Sequence, residues 1–145
     1  MPNVANVLRD KLDASVYSIA PDSTVLAAIR LMAEKSIGAL VVTDSENRVI
    51  GIFSERDYTR KVALLERTSK DTTVHAIMTA KVFTVTKFTT VADCLTIMTQ
   101  HHLRHLPVVD EAERLIGMVS IGDLVKAVMD EQRRLIEQLE NYIAG

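Results

Sequence analysis

The chain repeats itself, and the repeat limits what it can become. An offset of 66 residues carries the stretch Val49-Ile50-Gly51-Ile52-Phe53-Ser54-Glu55-Arg56-Asp57-Tyr58 onto Leu115-Ile116-Gly117-Met118-Val119-Ser120-Ile121-Gly122-Asp123-Leu124, so Ser54 falls on Ser120 and Asp57 on Asp123. Each copy reads as a buried apolar strand running straight into the first turn of a helix. The agreement extends outward. Val82-Phe83-Thr84-Val85 repeats Val16-Tyr17-Ser18-Ile19, and Val91, Leu95 and Met98 repeat Val25, Ile29 and Met32. Leu106 to Asp110 repeats Leu40 to Asp44. A unit of about fifty residues buries its own apolar face poorly. The two halves are therefore expected to pack together and form a cleft between equivalent surfaces.

The apolar spacing sets the organisation. Val4, Val7, Leu8 and Leu12 form the stripe of one short helix in an N-terminal segment, 1–15. A first repeat then spans 16–66, a polar linker 67–81, a second repeat 82–130 and a helical extension 131–145. Within the first repeat, Asp22 or Ser23 is the expected N-cap of a helix over 24–35, and Gly38 is expected to end it in a left-handed conformation. Ala39-Leu40-Val41-Val42 reads as a buried strand, Asp44 to Asn47 as a polar turn, and 55–65 as a second helix. In the extension, Leu135, Leu139 and Tyr142 share one stripe with Ile136 and Ile143 beside it, a face that asks for a partner; a second copy of the chain is the simplest one.

Composition excludes several classes. A net charge of -2 gives no general attraction to nucleic acid or to an anionic membrane. One cysteine cannot make an internal disulfide and suits a reducing compartment. No apolar run reaches the roughly 20 residues of a membrane helix, and Met1-Pro2-Asn3-Val4 lacks the features of a signal peptide. The expected location is the cytoplasm.

The duplicated corner is the candidate chemistry. A helix N-terminus presents unpaired N–H groups and a partial positive charge, which suits a phosphate. Ser54 or Ser120 adds a hydroxyl there, and Asp57 or Asp123, one turn on, can accept hydrogen bonds from the two hydroxyls of a ribose. Gly51 and Gly117 leave room for a flat ring near the strand. The competing reading is purely structural, since Ser-x-x-Asp is also a variant of the capping box.

The halves resemble CBS domains, the paired modules named after cystathionine β-synthase. The resemblance rests on Ser18 to Val25, Ile37 to Asp44 and Gly51 to Asp57 in the first half. In the second it rests on Ile77-Met78-Thr79, Arg104 to Asp110 and Gly117 to Asp123. It covers about residues 14–130. It implies an α+β fold of two β-α-β-β-α repeats related by pseudo-twofold symmetry, a Bateman module that often forms a homodimer. It also implies an adenine-containing ligand (AMP, ADP, ATP, NAD or S-adenosylmethionine) between the repeats, and no catalytic cofactor. By that resemblance Asp57 and Asp123 hold ribose, with Ser54 and Ser120 near ribose or phosphate and Arg56 and Gly122 lining the site. Ile52 and Met118 flank the base, Tyr17 and Phe83 lie on its other side, and Arg104 and His105 face phosphate. The first repeat has Gly38 and Ala39 where the second has Arg104 and His105, so the two sites are expected to be unequal.

Other candidates read as structural. His101, His102 and His105 invite a metal, yet no carboxylate or cysteine lies near them in sequence. Cys94 shares a helical face with Val91 and Met98 and reads as core. Arg60, Lys61, Arg67 and Lys70 read as an exposed helix and loop. The expected function is a non-enzymatic nucleotide sensor acting on an unidentified effector protein or through assembly state. Its rivals are a structural adaptor dimer and a nucleotide hydrolase, for which the sequence offers no activated nucleophile.

Overall fold

The computed structural model describes residues 2–11 and 15–144. Its helices are α1 (Val4–Asp10), α2 (Val25–Lys35), α3 (Glu55–Asp57), α4 (Val74–Ile77), α5 (Val91–His101) and α6 (Ile121–Ala144). Its strands are β1 (Ser18–Ile19), β2 (Ala39–Thr43), β3 (Val49–Ser54), β4 (His105–Val109) and β5 (Leu115–Ser120). The class is α+β, and the chain divides into two units.

The first-repeat unit comprises 16–82 with the short turn 111–115. Its sheet runs β1-β2-β3, β1 parallel to β2 and β2 antiparallel to β3, with Ala39 opposite Ser54 and Val41 opposite Ile52. That register turns Leu40, Val42 and Phe53 inward against Val25, Ala28 and Met32 of α2 and Val74 and Ile77 of α4. Burying one such side chain is worth about 1.5–3 kcal/mol, so this cluster holds the corner at Ser54 in place. The second-repeat unit comprises 1–15, 83–110 and 116–145. Strands β4 and β5 pair there, and a single parallel bridge from Val85 to Val108 stands where β1 stands in the first. Val91, Cys94 and Met98 of α5 pack with Leu106, Val108, Val119 and Leu124.

Each unit takes in a helix from outside its repeat. Helix α4, from the linker, joins the first unit through Val74 N–H to the Ser23 carbonyl and His75 N–H to that of Pro21, at 2.9 Å each. Helix α1, from the N-terminus, joins the second through Val4 N–H to the Thr89 carbonyl (2.9 Å) and Val91 N–H to that of Pro2 (3.0 Å). Val4 and Val7 are buried in the second core, with Leu8 against them; Leu12, on the same expected stripe, lies outside the described residues.

Three local expectations change. The left-handed residue ending α2 is Ser36, φ 55° and ψ 46°, and not Gly38; Ile37 N–H then closes on the Met32 carbonyl at 3.0 Å. His102 repeats this after α5. The closing bond fixes the position of the left-handed residue, and a non-glycine there tolerates a cost of about 1 kcal/mol. The N-cap of α2 is Thr24, whose hydroxyl accepts from Ala27 N–H at 3.1 Å, in place of Asp22 or Ser23. The helix expected over 55–65 is α-helical only to Asp57; Tyr58–Ala63 form a π-helix, with Leu64 N–H reaching the Thr59 carbonyl at 3.1 Å.

Candidate functional site

The same local chemistry builds both corners. At each, an extended strand delivers a serine whose hydroxyl caps the following helix while the aspartate three residues on reaches back to the serine N–H. In the first, Ser54 Oγ accepts from Asp57 N–H at 3.2 Å and Ser54 N–H donates to Asp57 Oδ2 at 3.0 Å. In the second, Ser120 Oγ accepts from Asp123 N–H at 3.1 Å and Ser120 N–H donates to Asp123 Oδ2 at 2.9 Å. Both corners are complete capping boxes.

They diverge beyond those bonds. Asp57 is 8% exposed. Its Oδ2 also accepts from the Ser54 hydroxyl at 3.1 Å, and its Oδ1 accepts from the Thr79 hydroxyl at 3.1 Å and the Lys61 ammonium at 3.2 Å. Lys61 also donates to the Ile77 carbonyl at 3.1 Å. Asp123 is half-buried, and its Oδ2 pairs with Lys11 Nζ at 3.0 Å, an ammonium that also donates to the Met118 carbonyl at 2.9 Å. Partial burial pushes the Asp123 carboxyl up, but the Ser120 N–H and the Lys11 ammonium together hold it below the usual carboxylate range.

The close approach permitted by the strand glycines is used by the protein itself. A Cβ on Gly51 would stand 2.5 Å from Met78 Sδ and 3.2 Å from the Thr79 carbonyl. A Cβ on Gly117 would stand 3.0 Å from the methyl carbons of Leu8. Ile52 pairs with Thr79 through Ile52 N–H at 2.9 Å and Thr79 N–H at 2.8 Å, which brings the Thr79 hydroxyl to Asp57.

The remaining expected site residues follow their units. In the first, Tyr17 packs at the edge of the core with Lys35 Nζ 5.4 Å from its ring centre. Ala39 opens β2 opposite Ser54, and Arg56 is exposed on α3. In the second, Phe83 stacks on His101 with ring centres 3.8 Å apart. His105 opens β4 half-buried; burial pulls its pKa down, Asp123 raises it, and Lys11 and Arg104 lower it further. Arg104 is exposed, and its carbonyl accepts from Ile121 N–H at 2.9 Å. Met118 lies in β5, and Gly122 is exposed in the first turn of α6. His102 is the left-handed cap of α5, and Cys94 is buried with its thiol pushed up to about 11 by burial and by the nearby charge of Asp93.

Sequence reasoning missed Lys11 and Thr79, and read Lys61 as an exposed cation without its pairing to Asp57. The i,i+4 spacing of Asp57 and Lys61 was a readable signal. For Lys11 and Thr79 no local signal exists, because their contacts depend on where α1 and α4 pack.

Comparison with known proteins agrees with this geometry. The CBS domain family model matches residues 7–64 and 74–130. A CBS domain-containing protein of Arabidopsis thaliana, the mitochondrial CBSX3, is 40% identical over 98% of this chain and 72% of its own. The structure of a protein with CBS domains from Burkholderia ambifaria MC40-6 superposes with a TM-score of 0.81 at 48% identity, covering 90% of this chain and 96% of that one. The crystal structure of CBSX2 in complex with AMP superposes at 0.76 and 23% identity, over 91% and 99% of the two chains. Two family matches, two equivalent corners and the shared fold together establish that this chain is a tandem CBS-domain protein.

Proposed function

We propose that the chain is a regulatory sensor of adenosine nucleotides (AMP, ADP, ATP or NAD) with no catalytic activity of its own. The observation that carries the reading is the duplicated serine–aspartate corner, formed with matching bonds in both units of a CBS-domain protein. In each corner a carboxylate stands beside a helix N-terminus, an arrangement suited to a ribose with an attached phosphate. The AMP held by the structural neighbour CBSX2 supports the choice of ligand class.

Signalling requires that ligand favour one arrangement of the protein over another, typically by about 1–3 kcal/mol. The C-terminal half of α6 supplies a surface for assembly. Met129, Ile136, Leu139 and Ile143 recur at heptad-like spacing and are 55%, 55%, 62% and 82% exposed. We propose that this stripe pairs with a second copy, and that an effector protein reads the assembled state. Among the described residues no helix is long and apolar enough to cross a membrane. A cytoplasmic protein acting on neither nucleic acid nor membrane fits these features.

A thermal-shift series with AMP, ADP, ATP, NAD and S-adenosylmethionine tests the ligand. Ligand at 100 times its Kd stabilises by about 2.7 kcal/mol, which raises Tm by roughly 5–10 °C at this chain length. The completed capping boxes favour one alternative, an adaptor dimer whose corners only close helix ends. No shift with any of the five compounds would decide for it.

A further inference from the structure

The two corners are not equivalent receptors, and three observations point the same way. The first is donor capacity. A carboxylate has about four acceptor positions, and protein donors take two on each oxygen of Asp57. At Asp123, Ser120 N–H and Lys11 both meet Oδ2, the Ser120 hydroxyl also stabilises the carboxylate, and among the described residues no counterpart of Thr79 donates to Oδ1. The second is charge. Beside Asp57 stands a further carboxylate, Glu55, packed 3.7 Å from the Cβ position of Gly38, against the cations Arg56 and Lys61. Beside Asp123 the matching helix position is the neutral Ile121, and Lys11 pairs with that one carboxylate, while Asp10, Asp130 and Glu131 in the same groove are paired with Arg9, Lys126 and Arg134. The third is access. Asp123 and Lys11 share the wall of a groove of about 690 Å³ between α1 and α6, whereas Asp57 is buried.

We infer that ligand is taken at the Ser120–Asp123 corner alone, where Lys11 selects a phosphorylated over an uncharged nucleoside, and that the Ser54–Asp57 corner is a closed structural lock. This rests on the nucleotide reading above and narrows it. An ammonium has three donors; Lys11 spends one on Met118 and one on Asp123, and the third has no acceptor among the described residues. An open carboxylate oxygen therefore lies beside a cation with a proton to give. Their complement is a ligand with hydroxyl donors next to an anion, a description a ribose phosphate meets and adenosine does not. Lys61 offers a comparable cation at the first corner, but the acceptor side of that corner is spent.

Calorimetric titration of the full chain with AMP and separately with adenosine tests this. The expected result is one AMP per chain. Lys11→Met should weaken AMP about tenfold, the loss of one charge-assisted contact, while leaving adenosine within about twofold. Asp123→Asn should weaken both compounds, and the first-corner variants Thr79→Val and Lys61→Met should leave AMP affinity within about twofold. Two AMP per chain, an AMP affinity that falls with Thr79→Val or Lys61→Met in a folded chain, or an equal change for AMP and adenosine with Lys11→Met would each overturn the inference while leaving nucleotide binding intact. Failure of the unaltered chain to take up either compound would instead remove the nucleotide reading, and this inference with it.

Discussion

Replacing Asp57 with alanine should cost the protein about twice what the same change costs at Asp123. Both changes remove the back-bond of a capping box, worth about 1 kcal/mol. At Asp57 the Thr79 hydroxyl also loses an ionised acceptor, about 1.5 kcal/mol. The ion pair with Lys61, whose side chain is 42% exposed, adds only about 0.5 kcal/mol after allowance for solvent screening. The sum is roughly 3 kcal/mol. At Asp123 the cap and the Lys11 pair come to about 1.5 kcal/mol, because Lys11 keeps the Met118 carbonyl and no second hydroxyl is orphaned. Paired urea and thermal unfolding of the two variants reads the difference directly. At about 3 °C per kcal/mol the expected falls in Tm are near 9 and 4–5 °C. A double-mutant cycle of Asp57→Ala with Thr79→Val should return a coupling of about 1 kcal/mol. Equal losses at the two aspartates, or additive behaviour in the cycle, would refute the view that Asp57 is the more heavily committed carboxylate.

Four further outcomes follow from the geometry. Gly51→Ala should destabilise by about 1–3 kcal/mol, since the backbone carbonyl of Thr79 must yield as well as Met78; Gly38→Ala, whose new methyl meets only ordinary contacts at 3.7 Å, should change stability by less than about 1 kcal/mol, and denaturant midpoints compare them. Because His105 has a folded pKa below its ordinary 6.5, the unfolded chain binds the extra proton first; stability is full above about 6.5 and declines as pH falls toward the folded value, and His105→Gln should flatten that part of a Tm-against-pH curve. Cys94, buried and with its thiol raised to about 11, should react with a thiol reagent at pH 8 only at the rate of unfolding; fast labelling of the native chain would contradict its placement in the core. If the α6 stripe pairs two copies as proposed, Ile136→Lys with Leu139→Lys should reduce the mass seen by light scattering from dimer to monomer without changing the circular dichroism of the folded chain.

The sequence made the repeat, the order of elements and the two corners readable because all three are local or periodic. Strand β3 and the turn after Ser54 could be placed from alternating burial and a polar cap, and Cys94 from its spacing to Val91 and Met98. What escaped was long-range. Asn3 and Thr73 each pair across to a helix cap, Thr90 and Thr24, far along the chain, and nothing in α1 or α4 announces which core will take its apolar face. Lys11 and Thr79 ride on those helices, so their approach to Asp123 and Asp57 was hidden for the same reason. The expectation of a glycine helix stop failed differently: Gly38 was the available residue, but the closing hydrogen bond required the turn two positions earlier, at Ser36.

The placement of α1 bears on how the protein comes into being. Helix α1 is synthesised before the first repeat, yet the strands and helices that bury Val4 and Val7 are synthesised after it. During translation this helix waits with its apolar side uncovered while the first repeat can already fold, and the loop finally closed spans that whole repeat. Deleting α1 should therefore injure the second-repeat unit, and leave the first-repeat unit, encoded beside it, untouched.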